Sequence, residues 1–244
     1  VYIIFTRVGS MYHYRQVAIS ERMSSVNQNT HQAMETSLSN YISNSPTAEL
    51  AERQRVVSMI RNYGTLTPLE DVILFGYTHL TALPSGFNPQ ENVILDRCTS
   101  LTALPAGFNP KRTVDLSGCT GLTALPAGFN PLGHVILDRC TGLTALPEGF
   151  NPQGDVNLRY CTGLSALPEG FKPRGNVYLS GCTGLTALPA GFNPQGHVHL
   201  SRCNGLTALP AGFNPQGEVN LRDCTGLTAL PEGFNPKREV DLRN

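Results

Sequence analysis

Excess charge is the first thing this chain of 244 residues lacks: 18 Lys and Arg face 18 Asp and Glu. A zero balance removes any global pull toward nucleic acid or an anionic membrane, so neither is expected as a partner. No run of about 18 apolar residues occurs, and no segment reads as a membrane-crossing helix. The apolar opening Val1–Phe5 has no basic flank, too short a hydrophobic region and no small-residue cleavage site, which argues against a signal peptide. Also missing are the phosphate-cradling G-x-x-x-x-G-K-[ST], the metalloprotease H-E-x-x-H and the nucleophile-elbow G-x-S-x-G. The expectation is a protein that is not an enzyme, with no catalytic residue, no cofactor and no metal site.

What is present is repetition. The stretch Val114–His134, VDLSGCTGLTALPAGFNPLGH, recurs at a 21-residue period from Val72 to Glu239, eight times, and a ninth copy runs Val240, Asp241, Leu242. A fixed period in the twenties signals a solenoid, each copy one coil stacked on the last. Each copy reads V-x-L-x-x-C-x-x-L-[TS]-A-L-P-x-G-F. Alternate apolar side chains at V-x-L mark a short strand. Leu125, Pro126, Gly128 and Pro131 follow within one short span, and two prolines and a glycine so close exclude a long helix on the return side.

The repeat is similar to the short bacterial leucine-rich repeat, L-x-L-x-x-[NC]-x-x-L. That form occurs in secreted effectors of intracellular bacterial pathogens, such as the IpaH and YopM types and the Legionella leucine-rich-repeat effectors. The resemblance implies an α/β solenoid: a right-handed leucine-rich-repeat coil with a parallel concave β-sheet, an irregular convex side and an N-terminal α-helical hairpin cap. It further implies a virulence protein exported by a route such as type IV secretion into the host cell cytosol, acting on a host protein or on another bacterial effector. An alternative by the same resemblance is the substrate-recognition part of a larger ubiquitin-ligase-type enzyme, whose catalytic domain would lie outside this sequence.

Seven cysteines, Cys98, Cys119, Cys140, Cys161, Cys182, Cys203 and Cys224, occupy one position in successive copies. Their Cβ vectors should run parallel like rungs, whereas a disulfide needs them to converge. They read as small buried thiols, and unpaired thiols point to a reducing compartment.

Ahead of the array, residues 1–29 carry no assignment, and residues 30–71 read as a helical hairpin followed by a degenerate first repeat, with the array spanning 72–244. Met34, Leu38, Tyr41 and Ile42 form one apolar stripe that Thr30 could cap. Ser45 reads as N-cap and Pro46 as first residue of a second helix, which runs through Leu50, Val56, Val57 and Ile60 to a stop at Gly64. The hairpin is expected to cover the open end of the solenoid. TLTPL at 65–69 looks like a clipped repeat. Nine strands at ~4.8 Å make a sheet of roughly 40 Å. Val240 and Leu242 would sit on a raw edge, so the natural chain is expected to continue.

Because the copies are nearly identical, the positions that differ are informative. Variation concentrates before Val, between Val and Leu, and at the two residues after Leu. These positions should share the concave face. Candidate partner-binding residues there are Ile94, Asp96, Arg97, Ile136, Asp138, Arg139, Asn157, Arg159, Tyr160, Tyr178, His199, Arg202 and Arg222. Arg139, Arg159, Tyr160 and Tyr178, with Ile136 beside them, form the expected hot spot, since Tyr and Arg most often anchor protein interfaces. The competing reading is that Asp138 with Arg159, His134 with Asp155, and Arg202 with Asp223 merely pair among themselves. His197, His199 and Glu218 are ligand types suited to zinc but define no fourth position, so a polar surface contact is the preferred reading. The expected molecule is a monomer on its own whose partner is a protein. Asn in F-N-P reads as a turn residue, with Lys172 the exception.

Overall fold

A computed structural model describes residues 2–8, 11–17 and 25–243, with side chains from residue 28 onward. Within the unassigned segment, residues 1, 9–10 and 18–24 lie outside the described residues. The chain divides into two units, Val1–Leu66 and Thr67–Asn244. The division falls a few residues before the expected start of the array, for a physical reason: Gln90 N–H donates to Pro68 O, so the clipped repeat already belongs to the coil-to-coil bonding.

The first unit opens with β1 (Tyr2–Val8) paired antiparallel to β2 (Met11–Val17), Val8 opposite Met11. Helix α1 (Ser25–Ser43) begins five residues before Thr30. Its described N-terminal residues are exposed and carry no apolar stripe, so periodicity revealed only the buried part, Met34, Leu38 and Tyr41. Helix α2 (Leu50–Tyr63) starts later than Pro46 suggested. Ser45 Oγ turns back to donate to Tyr41 O (3.1 Å) instead of capping α2, and Glu49 holds the cap position with no side-chain cap bond. Gly64 ends α2 as expected: its φ of 68° is left-handed, and its N–H donates to Ile60 O and Arg61 O.

One ion pair in this unit lay outside the sequence reading. Glu49 is 1% exposed and Arg53 8%. Arg53 Nη1 donates to Tyr41 O (2.7 Å), Nη2 donates to Glu49 Oε2 (3.2 Å), and the guanidinium lies 4.6 Å from the Tyr41 ring centroid. Arg53 Nε is 2.8 Å from Glu49 Oε1, an ion-pair contact outside hydrogen-bonding geometry.

The second unit is a parallel β-solenoid of the leucine-rich-repeat kind. Its strands are β3 (Val72–Ile73), β4 (Val93–Ile94), β5 (Val114–Asp115), β6 (Val135–Ile136), β7 (Val156–Asn157), β8 (Val177–Tyr178), β9 (Val198–His199), β10 (Val219–Asn220) and β11 (Val240–Asp241). They form one nine-stranded sheet in sequence order, with Val opposite Val in every pair. Although each strand is two residues long, the ladder extends further: Val114, Leu116 and Gly118 N–H donate to His134, Ile136 and Asp138 O of the next coil. The return side is turns and extended chain without helix, as the prolines require.

Inside the second to seventh coils, Val, Leu, Cys and Phe of the repeat are buried. Each thiol donates to the strand Leu carbonyl of the preceding coil, as from Cys140 Sγ to Leu116 O (3.1 Å) and from Cys161 Sγ to Leu137 O (3.0 Å). All seven cysteines are free and buried. Burial pushes the Cys140 thiol up to about 12, and its neighbours upward too. Only the thiolate attacks an alkylating reagent. Iodoacetamide at mildly alkaline pH should therefore label none of the seven in the folded protein and all of them in denaturing guanidinium, as counted by intact-mass spectrometry.

The phenylalanines stack. Phe108, Phe129, Phe150, Phe171, Phe192, Phe213 and Phe234 form a column with centroids 5.9–6.4 Å apart and planes within 11° of parallel. Beside it the F-N-P asparagines do more than turn the chain: each Oδ1 accepts the N–H of the same position one coil on, from Asn88 to Asn109, Asn130, Asn151 and Lys172. Lysine has no acceptor to pass on, and the ladder resumes only from Asn193 to Asn214 and Asn235. Lys172→Asn should restore the missing rung and stabilise the fold by about 1 kcal/mol, read as a raised denaturation midpoint.

Close approach also fixes a glycine. A β-carbon on Gly163 would lie 2.5 Å from Thr141 O of the previous coil, so the backbone itself excludes any side chain there.

Candidate functional site

The residues that vary between coils sit at four sites with different jobs. Those before Val reach the next coil's backbone. Asp155 N–H donates to His134 Nδ1 (3.0 Å), Asn176 N–H to Asp155 Oδ1, His197 N–H to Asn176 Oδ1 and Glu218 N–H to His197 Nδ1 (3.1 Å). His134 also lies 3.8 Å from Asp155 Oδ2, and His197 lies 3.6 Å from Glu218 Oε2. These side chains thus hold one coil to the next, and the Nδ1 atoms accept backbone protons. Among the described residues no group of three or more His, Cys, Asp or Glu is arranged to hold a metal ion.

Between Val and Leu the residues divide into two kinds. Asp115, Asn157, Asn220 and Asp241 bend back so that an Oδ1 accepts the N–H two residues on, as from Arg159 N–H to Asn157 (3.1 Å). Asn157 is thereby a turn-former, a local reason for its presence that needs no ligand. Ile73, Ile94, Ile136, Tyr178 and His199 cannot make this bond through a short side-chain oxygen, and they project from the sheet half-buried or, at Ile73, exposed.

The two residues after Leu carry the long side chains. The second of them is left-handed in every coil where it is described: Gly76, Gly118 and Gly181 have φ of 68–77°, and Arg97, Arg139, Tyr160, Arg202 and Asp223 have φ of 57–61°. The position is therefore a turn at the strand's end and not part of the strand face. Glycine adopts it freely, while an L side chain costs roughly 1 kcal/mol.

These side chains meet across coils. Arg139 lies over the Tyr160 ring (5.4 Å), and Arg159 over Tyr178 (4.2 Å). Tyr178 stacks on His199 at 4.9 Å and 14°. Burial, then the Arg159 cation, holds the His199 imidazole below its usual value. The Asp138–Arg159 pair of the competing reading does not form: Asp138 takes Arg139 of its own coil (3.0 Å), which the left-handed backbone at residue 139 brings alongside, and Arg159 is spent on Tyr178. Asp96 and Arg97 repeat that arrangement more loosely, at 4.0 Å. Arg202 does reach Asp223 (3.4 Å), and Arg222 approaches the same carboxylate oxygen (3.7 Å).

The candidates thus fall into three groups along the sheet. Asp138, Arg139, Arg159, Tyr160, Tyr178 and His199 form a connected centre with Ile136 on the adjoining strand. Arg202 and Arg222 lie beyond it on Asp223, and Ile94, Asp96 and Arg97 lie toward the first coil. At that first coil Ile73 and Phe75 are both exposed, with Arg97 5.6 Å from the Phe75 ring. This apolar pair belongs to the same surface and was not among the candidates, although its side chains stand in the same columns.

Compared with known proteins, the chain matches no family model and no curated protein.

Proposed function

We propose that the array is a non-catalytic scaffold that binds a protein through the outer face of its sheet, centred on Arg139, Arg159, Tyr160, Tyr178 and His199. One observation carries this reading. Five coils keep a side chain in a left-handed position where three others use glycine at no cost. Strain retained at selected coils of an otherwise uniform repeat calls for a use of those side chains. Tyr160 and the three arginines at these positions, Arg97, Arg139 and Arg202, also supply the residue types that anchor interfaces, on a sheet whose geometry is fixed before binding.

The likeness of the repeat to bacterial leucine-rich-repeat effectors supports a translocated effector that modulates a host protein or another effector. Seven buried thiols without a disulfide suit the reducing cytosol such a protein would enter. The test is affinity capture from host and bacterial lysates with the wild-type chain and with Arg159→Ala/Tyr160→Ala/Tyr178→Ala. The triple variant should lose its captured protein, with affinity falling roughly a hundredfold or more, while its melting temperature changes little. Equal capture by both chains sinks the proposal.

A further inference from the structure

We infer that the depression spanning the fifth to eighth coils is a carboxylate-binding subsite, which takes an acidic side chain of an extended peptide segment of the partner. This rests on the scaffold reading above and specifies its chemistry. The depression has a volume of about 260 Å³ and is lined by Tyr160, Ser180, Ser201, Arg202, Arg222 and Asp223 among others. That is below the ~300–1,000 Å³ usual for small-molecule sites, and suits a side chain better than a cofactor.

Its charge is unbalanced. Arg202 and Arg222, with side chains 65% and 54% exposed, share the single carboxylate of Asp223, at 3.4 and 3.7 Å. Asp241, the other carboxylate that acts on Arg222, is itself held by Arg243 at 2.7 Å. The N–H donors of the two guanidiniums therefore outnumber the acceptors around them, and a further carboxylate completes the set by charge-assisted hydrogen bonds. On the floor Ser201 Oγ donates to Ser180 Oγ (2.9 Å), which leaves the Ser180 hydroxyl hydrogen for an incoming acceptor. One wall is apolar: the Tyr160 ring lies flat against Gly181, where a β-carbon would come within 2.5 Å of Tyr160 Cδ1. An acidic residue flanked by an aromatic or aliphatic one matches guanidinium, hydroxyl and ring together.

The other end of the face sets the direction. Asp96, Asp115 and Asp138 stand on consecutive coils, and burial followed by the nearby Asp115 and Asp138 pushes the Asp96 carboxyl upward. An acidic segment is disfavoured over these coils and accepted over the later ones, so like-charge repulsion fixes the register of the partner.

The experiment is fluorescence anisotropy on the full chain with two labelled octapeptides, alternating Glu-Tyr and alternating Lys-Tyr. The Glu-Tyr peptide should bind at least about tenfold more tightly than the Lys-Tyr peptide, and Arg202→Gln/Arg222→Gln should remove at least about tenfold of that affinity. Lys111→Gln/Arg112→Gln removes the same charge from the exposed turn before β5, away from the candidate residues, and should leave binding unchanged. Equal losses in both double variants, or none in the first, overturn the subsite. Inorganic phosphate displacing the peptide far better than acetate also overturns it, in favour of a phosphoryl group. If the peptide result fails while the triple alanine variant still loses its captured protein, the subsite is wrong and the scaffold stands. If that variant keeps its partner, both fall.

Discussion

Phe150→Ala should cost about 3–5 kcal/mol and divide the array into two separately melting blocks. Phe150 is fully buried, with Phe129 at 6.1 Å on one side and Phe171 at 5.9 Å on the other. Truncation removes a ring from the middle of a column and leaves a cavity that neighbours cannot fill, because backbone bonds to both adjacent coils hold the spacing. In a stack where each coil contacts only its neighbours, weakening one interface uncouples what lies on either side. Differential scanning calorimetry should resolve two transitions where the wild type gives one. Phe234→Ala, at a half-buried ring with a single stacked neighbour, should cost much less and give no split. A single transition for Phe150→Ala at nearly unchanged temperature would disprove the role assigned to the column.

The second large effect belongs to the helical unit. Arg53→Ala should cost about 3–5 kcal/mol, because it strands the Glu49 carboxylate, 1% exposed, without its cation. It also removes the donor to Tyr41 O (2.7 Å). Replacing both partners together, Glu49→Leu with Arg53→Met, should recover most of the loss, since a buried pair exchanged for apolar side chains is often neutral. Chemical denaturation followed by far-UV circular dichroism, where these helices dominate the signal, completes the double-mutant cycle. If the single and double variants are equally destabilised, packing and not charge compensation holds this site.

The repeat was legible because identical letters at a fixed spacing leave little to infer. Val, Leu, Cys and Phe columns became buried ladders, and the prolines excluded a return helix. What escaped was information carried by hydrogen bonds between coils. Asn130 and Asn151 read as local turn residues, yet each oxygen serves the following coil. Gly163 carries no signal of its own in the sequence, and the structure assigns it to a close approach to Thr141 O.

The surface was half legible. The columns containing Tyr160, Tyr178 and Arg159 could be read off, but their contacts could not. The left-handed turn at Arg139 turns its guanidinium to Asp138 and Tyr160, in place of the Asp138–Arg159 pair that the competing reading offered. A signal was present: Gly76, Gly118 and Gly181 occupy the same column, and glycine alternating with Arg and Tyr marks positive φ. The local role of Asn157 escaped for a related reason, since its Oδ1 accepts the Arg159 N–H two residues on, a bond that a column of letters does not show. Glu49 and Arg53 stand at helical i, i+4 spacing, a pattern too common on solvated helix faces to single out the pair before its burial is known.

The Val-to-Val register has a genetic corollary. Since every junction joins the same letters of two successive coils, unequal crossing-over that gains or loses a whole coil creates a seam indistinguishable from the old ones. Slippage by any other length misaligns thiol, ring and amide columns at once. Such a gene can lengthen, shorten or shuffle its varied face in units of one rung, leaving the interior unaltered.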